Sequence, residues 1–217
     1  GYCGKPADAG TDVFAMDAEG NSSSTIPCFD SGFPVDFALH REESSPSSWT
    51  TNARLIGQKD LYTMNDNAES TGNDAVFDSN TGYYKGRASH YFAWMFKRHA
   101  GLDVICYDGT GNFHDVPHSL AKKPEMVWVK RRDTGSTPWL VSHKGLNGGT
   151  NYMHYYVTLN TTDAQTDGSG QGNKKFNTSS DHTATHIAIG NDSGWTNSSG
   201  AKYLCMAFAS VDGISKV

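Results

Sequence analysis

Residues 92–111 place two apolar runs, Phe92-Ala-Trp-Met-Phe96 and Val104-Ile-Cys-Tyr107, on either side of a short charged link. The first run returns at the far end of the chain, where Tyr91, Phe96 and Gly101 fall on Tyr203, Phe208 and Gly213 without a gap. The second has a counterpart near the start: residues 12–21 lie on residues 103–112, again without a gap. The stretch therefore closes one unit and opens the next. Landmarks in between keep the same order. Ile26-Pro27 falls on Val116-Pro117, residues 34–41 on 124–131, Trp49 on Trp139, residues 61–65 on 156–160, and residues 78–83 on 190–195. Such self-similarity marks two diverged copies of one module. Two copies are too few for a solenoid, so each must bury its own core or share one with its neighbour.

The units run from residue 10 to 101 and from 102 to 217, each roughly 100 residues, an ordinary domain size. Residues 1–9 read as a lead or linker. Most of the length difference between the copies lies in a Gly/Ser/Thr/Asp-rich insertion at 161–182, which is expected to project as a loop because it offers little to bury. Charged residues are sparse, turn formers abundant and aromatics reach 12%. That composition suits short strands joined by turns. No apolar spacing persists at helical period for three turns, so the expected fold class is all-β, an antiparallel β-sandwich in two tandem modules.

A net charge of -5 without a basic stripe argues against nucleic acid, since phosphate contacts need clustered Lys and Arg. No apolar run approaches the length needed to span a bilayer, so no membrane partner is expected. The cysteines, Cys3, Cys28, Cys106 and Cys205, form no CxxC pair. Cys106 and Cys205 sit in apolar runs and read as small buried hydrophobes. Whether Cys3 and Cys28 pair is left open.

Two histidine pairs, His114/His118 and His182/His186, have a spacing that invites a metal. On a strand, residues four apart lie about 13 Å from each other at ~3.3 Å per residue, too far to chelate. Pro117 bars a regular helix through the first pair. Ordinary loop histidines are the better reading, and no metal or cofactor is expected. Oxygen-rich turns such as 191–194 and 163–167 could hold Ca²⁺ but read more simply as solvated turns. Ser142-His143 lacks a nucleophile elbow, and Glu42, Glu43, Glu69 and Glu125 lack the apolar setting that would raise a catalytic carboxyl. No catalytic residues are assigned, and the chain is not expected to be an enzyme.

Aromatic rings on polar loops suit sugar binding, because a flat ring stacks on the apolar face of a pyranose while amides and carboxylates bond its hydroxyls. The candidates are Tyr83 and Tyr84, then Tyr152, His154 and Tyr155, and finally Asn191, Asp192 and Trp195. Trp49, Trp139, Tyr91 and Tyr203 recur at matched places and are assigned to the core. Tyr83 and Trp195 are matched as well, which counts against a binding role for both.

Trp94-Met-Phe-Lys-Arg98, Asp103 to Gly111, Val116-Pro-His-Ser-Leu120, Pro124-Glu-Met-Val-Trp-Val-Lys-Arg131, Trp139 to Lys144 and the closing strand together resemble a module of tailed-bacteriophage structural proteins. That module occurs, often in tandem, in tail-fibre-like and other virion proteins, especially of marine phages. The resemblance covers residues 10–217 and is sharper in the second unit. It implies a concanavalin-type, lectin-like sandwich or jelly roll located in a virion, with no catalytic residues to carry over. It also makes residues 214–217 read as the start of a further copy. Three roles follow as expectations: a tail-fibre or receptor-binding segment contacting host-surface glycan, a capsid decoration or filament-forming subunit, and, as outsider, a polysaccharide-degrading enzyme. Other virion proteins and copies of the same chain, a trimer in a fibre, are the expected partners.

Overall fold

The computed structural model describes residues 7–19, 26–44, 46–71, 74–86, 90–170 and 172–217. Among them there is no α-helix, only strands and short 3-10 turns. The first unit supplies β1 (Phe14–Glu19), β2 (Phe29–Asp30), β3 (Phe37–Glu42), β4 (Thr50–Ala53), β5 (Lys59–Tyr62), β6 (Ser70–Thr71), β7 (Ala75–Val76), β8 (Gly82–Lys85) and β9 (Tyr91–Phe96). The second supplies β10 (Leu102–Asp108), β11 (His114–Pro117), β12 (Met126–Arg131), β13 (Leu140–His143), β14 (Tyr155–Thr158), β15 (Thr166–Asp167), β16 (His186–Ile189) and β17 (Lys202–Phe208).

Each unit builds one six-stranded sheet, in the orders β1-β9-β3-β4-β5-β6 and β10-β17-β12-β13-β14-β15. The closing strands β9 and β17 take the same place, second from the edge between the opening strand and the third. A small sheet backs each large one: β2-β8-β7 in the first unit and β11-β16 in the second. All named pairings are antiparallel, so the chain is an all-β protein of sandwich-like stacked sheets.

Three apolar clusters show how the layers stack. Phe29, Val35, Ala38, Tyr83 and Met95 fill the first sandwich. Val116, Val127, Ile187, Tyr203 and Cys205 fill the second. The third joins the outer faces of the two large sheets, with Phe37, Leu39 and Leu61 from one unit against Leu102, Val104, Trp139, Leu204 and Met206 from the other. Each unit thus has its own core and shares a further one. Where residues 97–101 join the two sheets, their faces part around an apolar groove of about 640 Å³ lined by Phe14, Trp94, Phe96, Met126 and Phe208.

The register corrects two of the sequence matches. Phe14 and Phe37 flank Phe96, whereas Leu102 and Met126 flank Phe208. Equivalent rows therefore set Phe14 on Leu102 and Phe37 on Met126. The gapless matches had put Phe14 on Ile105 and Phe37 on Val127. Those shifts are odd, and an odd shift exchanges the two faces of a strand. Trp49 and Trp139 do occupy equivalent places, each directly before the strand whose first residue pairs with His40 or Val129.

One expectation about a segment also changes. The insertion does not simply project: β15 pairs with β14, Phe176 is 1% exposed and bridges Ile189, and His182 is buried. Phe176 supplied something to bury, and β16 offered a free edge on which to dock it. Residues 214–217 fold back on the chain beside a Val211–Ser215 bridge. Cys3 lies outside the described residues, so its pairing with Cys28 does too. Cys205 is fully buried, and burial pushes its thiol well up, whereas Cys106 is half-buried beside Arg132.

Candidate functional site

A polar cleft sits at one end of the second unit. One wall is the path from β13 into β14, which folds into two 3-10 turns, Leu146–Gly149 and Tyr152–His154. The chain bends there through left-handed residues, Asn147 (φ 51°), Gly148 (φ 64°), Gly149 (φ 85°) and Asn151 (φ 49°). Asn and Gly are the residues that tolerate this region. The Asn147 side chain holds the bend by donating to the Thr150 carbonyl at 2.8 Å, and its backbone N–H donates to Gln165 Oε1 at 2.8 Å. Met153 is buried beneath, Asn151 is exposed, and Tyr152 and His154 are half-buried, Tyr152 packing in part against the core.

The opposite wall is the segment 178–181, after the docked Phe176. Asn177 Oδ1 accepts from the Ser179 N–H at 3.0 Å and shapes the turn. Between the walls lies a cleft of about 350 Å³ lined by Asn151, Tyr152, His154, Ser179, Ser180 and Asp181 among others. Ser179, Ser180, Asp181 and Asn151 are exposed, so their polar groups face solvent.

Asp181 is the electrostatic centre. Its carboxylate accepts from the Tyr152 hydroxyl and pairs with Lys123, whose Nζ also sits 5.4 Å from the Tyr152 ring centroid. Burial alone would raise the Asp181 carboxyl, but the bonds from Lys123 and Tyr152 outweigh it and hold its pKa below the ordinary value. It is therefore an anionic acceptor at neutral pH. Burial and the adjacent carboxylate push the Tyr152 phenol up, so that ring stays neutral. Next in sequence, His182 is buried against Phe176, and burial depresses it to about 4. Its Nδ1 accepts from the Ala188 N–H at 3.1 Å, which identifies a neutral ring. His154 Nε2 lies 3.4 Å from the Thr178 carbonyl and ties one wall to the other.

The other sequence-derived candidates do not converge on this cleft. Tyr155 follows Tyr152 by three residues but belongs to β14 and pairs with Asp167 of β15. Asn191, Asp192 and Trp195 form the corner between β16 and β17. Asn191 Oδ1 accepts from the Lys174 N–H at 2.9 Å. Asp192 is 1% exposed, accepts from the Thr196 N–H at 2.9 Å and pairs with Lys175 at 2.7 Å. Trp195 is half-buried, covered on one face by Lys175 Nζ at 4.0 Å, and meets Tyr156 edge-on. This corner is a satisfied structural network.

Tyr83 is a clear correction. It is 0% exposed inside the first sandwich and donates to Asn52 Oδ1 at 2.5 Å, so its ring has no face to offer a sugar. Its match to Trp195 also fails, because Tyr83 sits in β8 whereas Trp195 lies in a turn beyond β16. Tyr84 is half-buried against the same core. Of the core assignments, Trp139 and Tyr203 are fully buried, while Trp49 and Tyr91 are half-buried. Among the described residues no group of three or more His, Cys, Asp or Glu is placed to hold a metal ion.

Asp181, Ser179, Ser180 and Lys123 were missed in the sequence. The first three lie in a polar run with no periodicity, and Lys123 lies more than 50 positions from its partner at 181.

With this geometry in place, comparison with known proteins gives one positive result. Residues 93–217, more than half of the chain, match the family described as "Domain of unknown function (DUF7483)". No curated protein matches the chain, and no solved structure does.

Proposed function

We propose that this chain, which belongs to the DUF7483 family, is a virion structural protein: a tail-fibre or receptor-binding segment that contacts host-surface glycan. The observation that carries this reading is the cleft between Tyr152 and Asp181. It combines a neutral aromatic ring, an anionic carboxylate, an amide at Asn151 and hydroxyls at Ser179 and Ser180. A hydroxyl-rich, uncharged ligand uses those groups well, since the exposed part of the ring offers apolar surface and the others accept or donate to hydroxyls. A cleft of this size seats only one or two sugar units, and single sugar sites are weak. Copies held together, a trimer in a fibre, supply the missing affinity through effective concentration. The sandwich-like fold is compatible with a concanavalin-type, lectin-like sandwich or jelly roll, which belongs to the same proposal.

The test is a glycan array probed with the multimerised chain, wild type beside Asp181→Asn and Tyr152→Ala. The expected result is adhesion by the wild type that both substitutions reduce at least tenfold. Adhesion unaffected by either substitution, or none at all, overturns the reading. New reducing ends on host polysaccharide would instead favour the enzyme.

A second reading, a capsid decoration or filament-forming subunit, is favoured by one specific contrast. Leu102 and Val104 are 4% and 1% exposed because the first unit covers them. Their counterparts in the first unit, Phe14 and Met16, are 37% and 65% exposed, and Phe14 lines the apolar groove. An apolar sheet face of this kind suits a packing partner. Electron microscopy of virions separates the two readings, since density along the shell or a filament favours the second and density at the tail tip the first.

A further inference from the structure

The interior of the first sandwich holds a charged cluster that the fold does not require. Lys85 on β8 of the small sheet has a side chain 0% exposed, and that of Asp60 on β5 of the large sheet is 4% exposed. Lys85 Nζ lies 2.7 Å from Asp60 Oδ1 and 3.0 Å from Oδ2, so the amine faces the carboxyl carbon between them. A second carboxylate, Asp74 Oδ1, is 2.6 Å from the same nitrogen, and its side chain is 29% exposed. Asn52 Nδ2 donates to Asp60 Oδ1 at 2.6 Å and to the Lys59 carbonyl at 2.7 Å. The Tyr83 hydroxyl fixes that amide by donating to Asn52 Oδ1 at 2.5 Å. In the second unit the places of Asn52 and Asp60 are taken by Ser142 and Tyr156, so the equivalent pair of positions carries no charge there.

A nucleophile held against an electrophilic carbon, with a donor on the carbonyl oxygen, is the arrangement that acyl transfer needs. We propose that Lys85 and Asp60 condense into an isopeptide bond that ties the two sheets of the first sandwich together.

The step balances without an oxidant, reductant or other reactant. One ammonium proton of Lys85 passes to the Asp60 carboxyl, directly or through Asp74, leaving a neutral amine and a neutral acid. The Nζ lone pair attacks Asp60 Cγ, and the Nζ–Cγ bond forms. Asn52 Nδ2–H stabilises the negative oxygen of the tetrahedral intermediate. A second nitrogen proton moves through Asp74 to the departing hydroxyl, the Cγ–O bond breaks, and water leaves. The amide keeps the third proton. One positive and one negative charge vanish together, so the net charge is unchanged. The partly exposed side of Asp74 gives the water and the shuttled proton a way out.

The experiment is the intact mass of the purified full chain, measured after denaturation, followed by tryptic mapping. The wild type is expected one water below its sequence mass. Lys85, acylated, should resist trypsin and appear in a branched peptide joined to the segment that carries Asp60. That branched peptide distinguishes the bond from loss of water at a single Asp. Lys85→Ala and Asp74→Asn should each return the full sequence mass, and Asp74→Asn removes only the proton carrier should Lys85→Ala fail to fold. A folded wild type at its full sequence mass overturns the proposal without reference to either variant. A cross-link that persists in Asp74→Asn overturns the role given to Asp74.

Discussion

Trp139→Ala tests the shared core between the two large sheets. Trp139 is 0% exposed and lies among residues of both units, and its indole Nε1 donates to the Tyr62 carbonyl of the other unit at 2.8 Å. A buried Trp removes on the order of 200 Å² from water, worth roughly 5 kcal/mol at about 25 cal/mol per Å². Measured truncations of buried aromatics to Ala cluster at about 3–5 kcal/mol, cavity included. Loss of the indole bond leaves the Tyr62 carbonyl short of a donor and adds roughly 1 kcal/mol. The expected total is therefore about 4–6 kcal/mol. Urea unfolding, read by far-UV circular dichroism and with the slope compared between variants, gives the value. Trp49→Ala is the internal control. It removes the same side chain from the equivalent place, but Trp49 is half-buried, resting on Trp94 at 4.7 Å and Phe92 at 5.3 Å. It should lose about half as much or less. Equal losses at the two positions, or a Trp139→Ala loss under about 2 kcal/mol, would refute the assignment of Trp139 to a core between the units.

Three further outcomes are expected. Tyr83→Phe removes only the hydroxyl of a buried ring and leaves Asn52 Oδ1 without that donor; chemical denaturation should show a loss of about 1–3 kcal/mol. Gly190→Ala would bring a Cβ within 1.9 Å of the Lys174 carbonyl oxygen, so the loop over β16 must shift; a calorimetric loss of about 1–3 kcal/mol is expected. His182 is depressed by burial to about 4, below an unfolded value near 6.5. The unfolded chain then binds the extra proton first, so the contribution is fully present above about pH 6.5 and is lost as pH falls towards 4, roughly 3 kcal/mol in all. Unfolding curves between pH 7 and 4 measure it. A His182→Gln variant should lack that part of the slope, and an unchanged slope would count against the buried neutral histidine.

The fold class and the repeat were legible because they rest on many weak signals that agree. Alternation, turn residues and the recurrence of residues 91–96 at 203–208 all pointed to paired strands, and β9 and β17 do take the same place in their sheets. The candidate site was legible only in part. Tyr152 and His154 were visible as aromatics in a polar loop, whereas Asp181 carried no mark of its role. Its partners Tyr152 and Lys123 lie 29 and 58 positions away, and only folding brings them together.

The sequence by itself determined that strands form, roughly where they lie, and that the two halves share an order of elements. Those properties depend on residue type and on spacing within a few positions. The tertiary structure decided which face of each strand is buried, and there the letters misled: Phe14 and Phe37 had been matched to partners an odd number of residues away. A strand presents alternate residues to opposite sides, so a single-residue error reverses inside and outside while barely altering the letter match. The same holds for the aromatics. Tyr83 and Trp195 each follow a Gly in a polar turn, yet one is buried on a strand and the other half-covers a corner. Whether a ring is covered depends on what the rest of the chain lays over it, and that is settled only by contacts between residues far apart in sequence.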